Sequence, residues 1–524
     1  MSRWCWLLVL ASCASGEAYR IRPDAQLLAG RDAYLAQPKV TPKQRVNVVL
    51  IVADDLGTAD TSMTASGRIA TPSLDRLASE GVRFEAGYVT AALCSPSRAA
   101  LLTGRYQQRF GHEVQPHDRY ARNRFEFFFA RLFLATDDWK LLTYKAPDEE
   151  DVQRQGIPRS ELLLPELLHR AGYATGMFGK WHLGWNPDFQ PQRRGFDEFT
   201  GFYEAYSLYA APAGREDVIE QHLPEFSDRF IWDKGRTGSC ALVRNDAVVE
   251  ESRYLTDVFT DEAIAFIDRH REEPFFLYLP YQNPHTPFQV KRSDWDAFPE
   301  EKDPIRRTYL ALVRSLDTSV GRVLDALDER GLAEDTLVIF VSDNGGALYT
   351  HATTNAPYQG GKFTLFEGGI RVPFAMRWPG RLPSGARYDE PVSALDVVAT
   401  VAAAVGLPLP EDRPYDGVDL LPYVRGEKAG APHEALFWRA DYTSAVRHGA
   451  LKLIRDKQSG VTSLFDLSKD PGEQQDLAPT RPDDVQRLLG ELDAWDAQCA
   501  PPLWPAVMDY RFVANDGREY WYPL

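Results

Sequence analysis

The sequence predicts an α/β fold: a large mixed, mostly parallel sheet sandwiched by helices, followed by a smaller C-terminal α+β domain with a short antiparallel sheet. Three observations predict it. Continuous apolar runs rich in β-branched residues recur along the chain, as in strands buried on both faces. Helical apolar stripes alternate with these runs, which is typical of parallel sheets covered on both sides. The end of the chain instead carries short alternating runs separated by turns, which indicates antiparallel strands.

Four of the apolar runs are predicted strands, and polar residues follow each of them. In chain order they cover residues 46–53, 173–179, 274–281 and 336–341. Ligands of open parallel sheets bind beyond the carboxyl ends of the strands. The polar residues after these strands are therefore expected to converge, although they are far apart in the sequence.

Helices are predicted between these strands. Residues 306–330 and 255–271 carry apolar side chains at a period of about 3.6 residues, which is the pattern of a helix with one buried face. A third helix is expected to begin with Ser160 as its cap and to run to His169, with Gly172 at its end.

The chain divides into a larger predicted domain, residues 40–430, and a C-terminal α+β domain, residues 431–524. From about residue 434, short alternating runs broken by glycine-containing turns predict an antiparallel meander. A helix is expected near 481–497. Residues 118–156 are interpreted as an insertion with its own amphipathic helix.

The charge of the chain restricts its partners. The 524 residues carry a formal net charge of −16. Nucleic acid requires a basic face, so this charge argues against a nucleic-acid partner. An acidic protein that handles an anionic substrate has to concentrate positive charge inside a pocket. No stretch after the N-terminus is long and apolar enough to span a bilayer.

The N-terminus predicts export. Arg3 precedes a short apolar run, and small residues follow, so residues 1–15 are interpreted as a signal peptide. The sequence LASC at 10–13 resembles the bacterial lipoprotein box, in which Cys13 becomes a lipid-bearing N-terminus. Cleavage a few residues later by ordinary signal peptidase is the alternative. The expected location is the periplasm or the outer membrane of a bacterium, and otherwise outside the cell.

Three further cysteines remain after processing at that box, namely Cys94, Cys240 and Cys499. Cys240 and Cys499 are compatible with one disulfide, although spacing alone does not pair them. So few cysteines in an exported chain indicate that its core, rather than bridges, stabilises the fold.

Two pairs of oxygen-bearing side chains follow predicted strands. Asp54 and Asp55 come after the first strand, and Asp343 and Asn344 come after the last. Such pairs are also common turn formers, but two of them at equivalent strand ends favour a shared role. Hard oxygen ligands without histidine suit Ca²⁺ or Mg²⁺ rather than zinc.

Basic and titratable residues are expected at the same edge of the sheet. They are Lys180, His182, His285 and Lys362, with Arg98 nearby. Each alone would be interpreted as a solvated loop residue. Together with a cation site they predict a pocket for a tetrahedral oxyanion ester, in which metal and cations stabilise the transition state.

Cys94 is the obvious candidate nucleophile, yet its sulfur is a poor match for a hard cation. The stretch around it, CSPSR at 94–98 followed by TGR at 103–105, resolves the difficulty. It resembles the signature of the type I sulfatases, formylglycine enzymes of the alkaline phosphatase superfamily. The resemblance covers roughly residues 45 to 480. The matching motifs are CSPSR at 94–98, TGR at 103–105, GKWHLG at 179–184, SDNGG at 342–346 and GGKFTLFEGGIRVP at 360–373.

This resemblance implies an alkaline phosphatase-like fold and a particular chemistry. In the family the cysteine is oxidised to Cα-formylglycine by a formylglycine-generating enzyme before folding finishes. One hydroxyl of the aldehyde hydrate attacks sulfur and the alcohol leaves. The second hydroxyl then drives expulsion of sulfate as the aldehyde reforms. A serine would be trapped as a sulfate ester, because it has no second hydroxyl.

The resemblance also implies roles for the residues above. The cation, Ca²⁺ or possible Mg²⁺, would be held by Asp54, Asp55, Asp343, Asn344 and residue 94. Arg98 and Lys180 would steady the formylglycine. His182 would take a proton from the second hydroxyl, His285 would protonate the leaving oxygen, and Lys362 would hold the sulfate with Lys180 and His285. The insertion at 118–156 departs from the family pattern and bears on the substrate pocket.

The predicted function is therefore a sulfatase that acts on a sulfated carbohydrate or polysaccharide. One alternative is a phosphomonoester, phosphodiester or phosphonate hydrolase of the same superfamily; a two-zinc phosphatase should show Asp-His where this chain has Asp343-Asn344. The other alternative is a glycan-binding protein without catalysis. Four aromatic residues either stack on sugars or simply pack in the fold: Tyr203, Tyr206, Tyr209 and Trp232.

Overall fold

The structure is a computed structural model, and it describes residues 24–39, 45–64, 67, 69–116, 138–141, 149–224 and 226–524. The predicted signal peptide, with Cys13, lies outside the described residues, and so does most of the 118–156 insertion. The amphipathic helix expected in that insertion therefore falls largely outside them as well.

The strands form five sheets in the described part of the chain. In chain order the strands are β1 (Asn47–Asp54), β2 (Val82–Phe84), β3 (Gly87–Tyr88), β4 (Trp139–Leu141), β5 (Ala174–Lys180), β6 (Glu198–Phe202), β7 (Val218–Gln221), β8 (Val243–Arg244), β9 (Ala247–Val248), β10 (Phe275–Pro284), β11 (Phe288–Lys291), β12 (Thr336–Ser342), β13 (Phe374–Arg377), β14 (Ala386–Tyr388), β15 (Val392–Ser393), β16 (Ala435–Ala440), β17 (Thr443–His448), β18 (Leu451–Asp456), β19 (Val461–Asp466), β20 (Met508–Val513) and β21 (Glu519–Pro523).

The α-helices vary widely in length. In chain order they are α1 (Ala25–Leu35), α2 (Pro72–Ser79), α3 (Cys94–Thr103), α4 (Glu149–Gln153), α5 (Leu164–Arg170), α6 (Phe226–Lys234), α7 (Leu255–His270), α8 (Arg292–Trp295), α9 (Pro304–Glu329), α10 (Glu367–Ile370), α11 (Asp396–Val405), α12 (Leu421–Val424) and α13 (Pro482–Asp496).

The largest sheet has ten strands in the order β14-β2-β13-β12-β1-β10-β5-β6-β8-β9. Its centre is parallel: β1 pairs with β10 on one side and β12 on the other, and β5 and β6 continue in the same direction. Antiparallel pairs occur towards the margins, for example between β12 and β13. The predicted mixed, mostly parallel sheet is confirmed.

Both faces of this sheet are covered, which explains the continuous apolar character of β1. Val48, Leu50 and Val52 pack in a core cluster with α3 and α11, on one face. The alternate residues of β1, such as Val49 and Ile51, pack in a second cluster with α7 and α9, on the other face. Because successive side chains of a strand point to opposite faces, a strand in such a sandwich needs apolar residues at every position.

The predicted C-terminal elements are also present. Strands β16 to β19 form a four-stranded antiparallel meander, and α13 packs on it. An element that the sequence did not predict is a three-stranded sheet in which β20 pairs with both β21 and β4. It joins the insertion to the C-terminal hairpin.

The predicted cap of α5 is wrong. This helix begins at Leu164, and Leu163 occupies the cap position instead of Ser160. The Leu163 amide donates to Glu166 Oε2 at 2.8 Å, so a glutamate three residues into the helix satisfies the terminal N–H. The expected end is confirmed, because Gly172 has a left-handed φ of 83°.

A buried ion-pair cluster ties the C-terminal meander to α10. Lys452 Nζ of β18 lies 3.0 Å from Glu367 Oε1 and 2.8 Å from Glu473 Oε1. The Glu367 amide donates to Glu473 Oε2 at 2.7 Å. All three side chains are buried, so the meander fixes the segment that directly follows Lys362.

Two other sequence-based questions are answered by the fold. Cys240 and Cys499 are not joined in a disulfide in the part of the chain described here. Within the same residues, none of the helices has the length and apolar character that crossing a membrane would require.

Candidate functional site

The oxygen-bearing residues predicted to bind a cation converge at the carboxyl ends of β1 and β12. The Asp55 amide donates to Asp343 Oδ1 at 3.2 Å, and Asn344 Nδ2 donates to Asp55 Oδ1 at 2.7 Å. Asp54, like the other three, is buried. The two strands are adjacent and parallel, which is why residues 289 positions apart meet here.

The donor set fits a hard cation. Asn344 Oδ1 is buried and has no hydrogen-bond partner among the described residues, which is costly for a polar atom unless it binds something. Burial, and then the neighbouring Asp54, raise the pKa of Asp343 to about 6. Crowded buried carboxylates repel one another, and a divalent cation between them would relieve that repulsion.

Cys94 lies at the first position of α3 and points into this cluster. Its Sγ is 3.4 Å from Asp54 Oδ1 and 3.9 Å from Asp55 Oδ1. Ligand atoms of Asp54, Asp55, Cys94 and His285 all lie within 4.8 Å of one another. Burial, and then Asp343 and Asp54, raise the pKa of the thiol well above its usual range. An unmodified Cys94 would therefore stay protonated and be a weak nucleophile.

The buried, positively charged side chains of Arg98 and Lys180 contact these carboxylates. Arg98 donates from Nε to Asp343 Oδ2 at 2.9 Å, and its Nη2 lies 3.5 Å from Asp54 Oδ2. Lys180 Nζ donates to Asp54 Oδ2 at 2.6 Å. Arg98 also donates to the Lys180 carbonyl at 3.1 Å, so α3 and the end of β5 are fixed to each other at the site.

Lys362 and His285 both lie close to the same carboxylate oxygen of Asp55. Lys362 Nζ donates to Asp55 Oδ2 at 2.9 Å, and His285 Nε2 lies 3.7 Å from the same oxygen. His285 Nδ1 is 2.6 Å from the Thr286 carbonyl, so it acts as the donor there and Nε2 faces the site. Burial, and then Lys362, lower the pKa of His285 to about 3.

His182 is buried in the loop after β5, with a left-handed φ of 59°. Neither of its ring nitrogens has a hydrogen-bond partner among the described residues. Burial, and then Lys180 and Arg98, lower its pKa well below the usual value. His182 is therefore a neutral imidazole at neutral pH, and one of its two ring nitrogens carries a lone pair.

The charges of the site are balanced in a way that suits an anion. Three carboxylates face three cations, and a divalent cation would leave the pocket positive. The carboxylates are Asp54, Asp55 and Asp343, and the cations are Arg98, Lys180 and Lys362. A negatively charged ester would then be attracted into a pocket that water barely reaches.

The comparisons with known proteins agree with this geometry. The family model described as Sulfatase matches residues 46–407, and a model for the C-terminal part of N-sulphoglucosamine sulphohydrolase matches residues 361–492. The chain belongs to the sulfatase family. Sulfatases hydrolyse sulfate esters, and the chain is accordingly a sulfuric ester hydrolase.

Relatives of this sulfatase differ in the substrates that their names state. It is 33% identical to N-acetylgalactosamine-6-sulfatase of Canis lupus familiaris, over 83% of this chain and 82% of that protein. It is 32% identical to steryl-sulfatase of Mus musculus, over 90% of this chain and 84% of that protein. It also resembles the crystal structure of Ps i-CgsB in complex with k-i-k-neocarrahexaose, with 32% identity, a TM-score of 0.73, and coverage of 88% of this chain and 95% of that chain.

The structure of the sulfatase brings together all the residues that the sequence placed at its site. One feature was missed, namely that His285 lies as near to the carboxylates as Cys94 does.

Three of the four aromatic residues considered for sugar stacking are buried: Tyr203, Tyr206 and Tyr209. Tyr209 stacks on Tyr254 with ring centroids 5.3 Å apart, so packing accounts for it. Trp232 is half-buried and lies 4.4 Å from the His222 ring.

Proposed function

We propose that this sulfatase removes the sulfate group from a sulfated carbohydrate, using Cα-formylglycine at position 94 and one divalent cation. The observation that carries the proposal is the convergence of Cys94 with a buried set of carboxylates, Lys362 and two histidines. The carbohydrate is supported by the saccharide in the complex of the similar structure and by the name of the galactosamine-sulfatase relative.

Oxidation of Cys94 by a formylglycine-generating enzyme would remove the mismatch between sulfur and a hard cation. The hydrate of the aldehyde supplies an oxygen nucleophile and a second hydroxyl for the release of sulfate. The position of Cys94 Sγ, 3.4 Å from Asp54 Oδ1 and 3.9 Å from Asp55 Oδ1, supports this proposal, because an oxygen there would lie among the other proposed ligands of the cation.

The proposed cation is Ca²⁺, with Mg²⁺ as the alternative, and its ligands would be Asp54, Asp55, Asp343, Asn344 and residue 94. When bound, it would stabilise negative charge that develops on the sulfate oxygens. Oxygen ligands and the open Oδ1 of Asn344 support a hard cation.

The side chains around the carboxylates have proposed roles in positioning and proton transfer. Arg98 and Lys180 hold the formylglycine and the carboxylates in place. Lys362 binds the sulfate, with Lys180 and His285. His182 takes a proton from the second hydroxyl, and Nε2 of His285 gives a proton to the departing alcohol oxygen. The negative charge of a bound sulfate favours a protonated His285, against the effect of burial.

The test of this function is the product that the purified enzyme releases. A panel of defined sulfated mono- and oligosaccharides is incubated with the enzyme beside matched phosphate esters, and free sulfate and free phosphate are measured. Sulfate release from a saccharide, absent in Cys94→Ala, supports the proposal. Preferential phosphate release would favour a phosphoryl hydrolase, and binding without turnover would favour a glycan-binding protein.

The proposal includes export of the sulfatase from the cytoplasm. A sulfated polymer is too large to enter a cell intact, so an enzyme that acts on it belongs outside the cytoplasm. The proposed signal peptide at residues 1–15 and lipid attachment at Cys13 would place the sulfatase in the periplasm or on the outer membrane of a bacterium.

A further inference from the structure

A cluster of four aromatic side chains stands beside the proposed sulfate-binding lysine. It consists of Trp139, Tyr349, Phe363 and Tyr510, which we call the aromatic platform. The rings of Tyr349 and Phe363 are stacked, with centroids 5.3 Å apart and planes 17° apart. Trp139 lies 5.4 Å from Phe363 and 4.9 Å from Tyr510. The four rings form one continuous apolar surface.

The platform is connected directly to the catalytic site. Phe363 follows Lys362 in the chain, and Lys362 Nζ lies 5.6 Å from the centroid of the Phe363 ring. The Phe363 amide donates to the Ala92 carbonyl at 2.8 Å, two residues before Cys94. Burial lowers the pKa of Lys362, but Asp55, Cys94 and Tyr349 together raise it well above its usual value, so Tyr349 lies close to the lysine. A sulfate held by Lys362 therefore has the platform next to it.

The exposure of the rings distinguishes the platform from an ordinary core cluster. Phe363 belongs to a buried apolar cluster, and Trp139, Tyr349 and Tyr510 pack against that cluster while each residue stays only partly buried among the described residues. Large aromatic rings with one accessible face, next to a charged pocket, are typical of sites that bind a ligand with an apolar face and polar edges.

Three distant segments of the chain build this surface. Trp139 belongs to β4 of the insertion, and it pairs directly with Tyr510 of β20, so both side chains lie on the same face of the three-stranded sheet. Tyr349 and Phe363 come from the two loops after β12. The insertion thus contributes a side chain to the surroundings of the active site, which a shorter loop could not do.

We infer that the aromatic platform binds the pyranose ring that carries the sulfate. This inference rests on the proposed function. A pyranose has an apolar face of C–H groups, which packs on aromatic rings, and a rim of hydroxyls, which faces away from them. Lys362 would recognise the charge, and the platform would recognise the sugar and orient its ester bond.

The test compares Trp139→Ala and Tyr510→Ala with Trp521→Ala. Trp521 is a matched control, because it lies in the same three-stranded sheet but on the other face, with Lys140 Nζ 5.8 Å from its ring centroid. The substrate is the sulfated saccharide of the panel with the highest turnover. Inorganic sulfate, which has no ring, is used as a competitive inhibitor of 4-nitrophenyl sulfate hydrolysis.

Each platform variant should raise KM for the saccharide by about tenfold, the size of a lost aromatic contact, while inhibition by sulfate stays unchanged. The melting temperature should fall, because a packed ring is lost, but the variants should remain folded at the assay temperature. Trp139→Phe should recover part of the loss, and Trp521→Ala should have the kinetic constants of the wild type.

Equal KM values in platform and control variants would overturn the inference that the platform binds the sugar, but not the proposed function. Weakened sulfate inhibition in the platform variants would also overturn it, since the rings would then only support Lys362. If no saccharide is turned over while 4-nitrophenyl sulfate is, the proposed function fails, and the inference fails with it.

Discussion

The sulfur of Cys94 lies 3.4 Å from Oδ1 of Asp54, inside a cluster of buried carboxylates. The first residue of α3 and the last residue of β1 thus share one pocket, although 40 positions separate them in the chain. The geometry explains why position 94 matters, and it makes the proposed chemistry directly testable.

The active enzyme should carry an aldehyde at position 94. Mass spectrometry of the peptide that contains Cys94 should show the formylglycine mass, and its fraction should correlate with specific activity across preparations. Cys94→Ala and Cys94→Ser should both be inactive, because neither side chain gives an aldehyde hydrate with two hydroxyls. Near-normal turnover by the serine variant would contradict the mechanism.

Removal of divalent cations should abolish turnover. Chelation followed by addition of Ca²⁺ or Mg²⁺ should restore activity, since all the proposed ligands, including the formylglycine at position 94, offer oxygen. Asn344→Ala should weaken Ca²⁺ binding in calorimetry, because it removes the open Oδ1. Restoration by Zn²⁺ alone would instead favour a phosphatase-like site.

His285 and His182 should respond differently to the leaving group. A sugar hydroxyl needs a proton as it departs, whereas a nitrophenolate barely does. His285→Ala should therefore slow hydrolysis of a sulfated sugar by about 10²–10⁴-fold and that of 4-nitrophenyl sulfate clearly less. His182→Ala should slow both alike, because its proposed step follows the departure of the alcohol. An equal loss on both substrates in His285→Ala would assign that residue to sulfate binding.

Glu473 should make the stability of the wild type fall as the pH rises. Burial, opposed by Lys452, raises its pKa from 4.5 to about 7 in the folded state. The folded protein therefore binds the proton more tightly than the unfolded chain, and that stabilisation is lost as the pH increases through about 7. Relative to Glu473→Gln, the wild-type melting temperature should decline between about pH 5 and pH 8.

A matched control for this titration is Glu300→Gln, at an exposed position. Its melting temperature should follow that of the wild type over the whole range. Glu367 does not titrate in this pH range. Burial acts to raise its pKa, but Lys452 and the neighbouring arginines outweigh that effect and lower the pKa to about 2. A constant difference between wild type and Glu473→Gln at every pH would contradict the assigned shift.

Cys13 should anchor the protein in its native host. The wild type should be found in the membrane fraction, and Cys13→Ser should be soluble, since the substitution removes the sulfur that would carry the lipid. A wild type found wholly in the soluble fraction would leave ordinary export as the explanation of the N-terminal sequence.

Much of the fold could be predicted because the centre of the sheet is buried on both sides. Burial on both faces leaves continuous apolar runs in the sequence, and the parallel direction of β1 and β12 brings Asp55 and Asn344 together at one edge. The site was predictable for the same reason, because its residues directly follow such strands or lie in specific motifs.

The features that could not be predicted depend on pairing between distant segments. Trp139 and Tyr510 are partners in a short three-stranded sheet, and no periodicity in either segment indicates the other. The contact between Lys452 and Glu367 could not be predicted either, because an isolated lysine in a strand is usually solvated and nothing in the sequence indicates a buried partner. The predicted cap of α5 was wrong because the Glu166 side chain, rather than that of Ser160, accepts a hydrogen bond from the amide at the start of the helix.

The burial of α3 has a consequence for the order of events during synthesis. All ten residues of this helix are buried, and Leu93, just before it, packs with Val507, Met508 and Leu524. A modifying enzyme cannot reach Cys94 once these contacts exist. Residues 507–524 leave the ribosome long after Cys94 does, so the nascent chain offers an interval in which the thiol is accessible. If Cys94 is oxidised as proposed, maturation is a competition between oxidation and folding, and conditions that slow folding should yield a larger fraction of active enzyme.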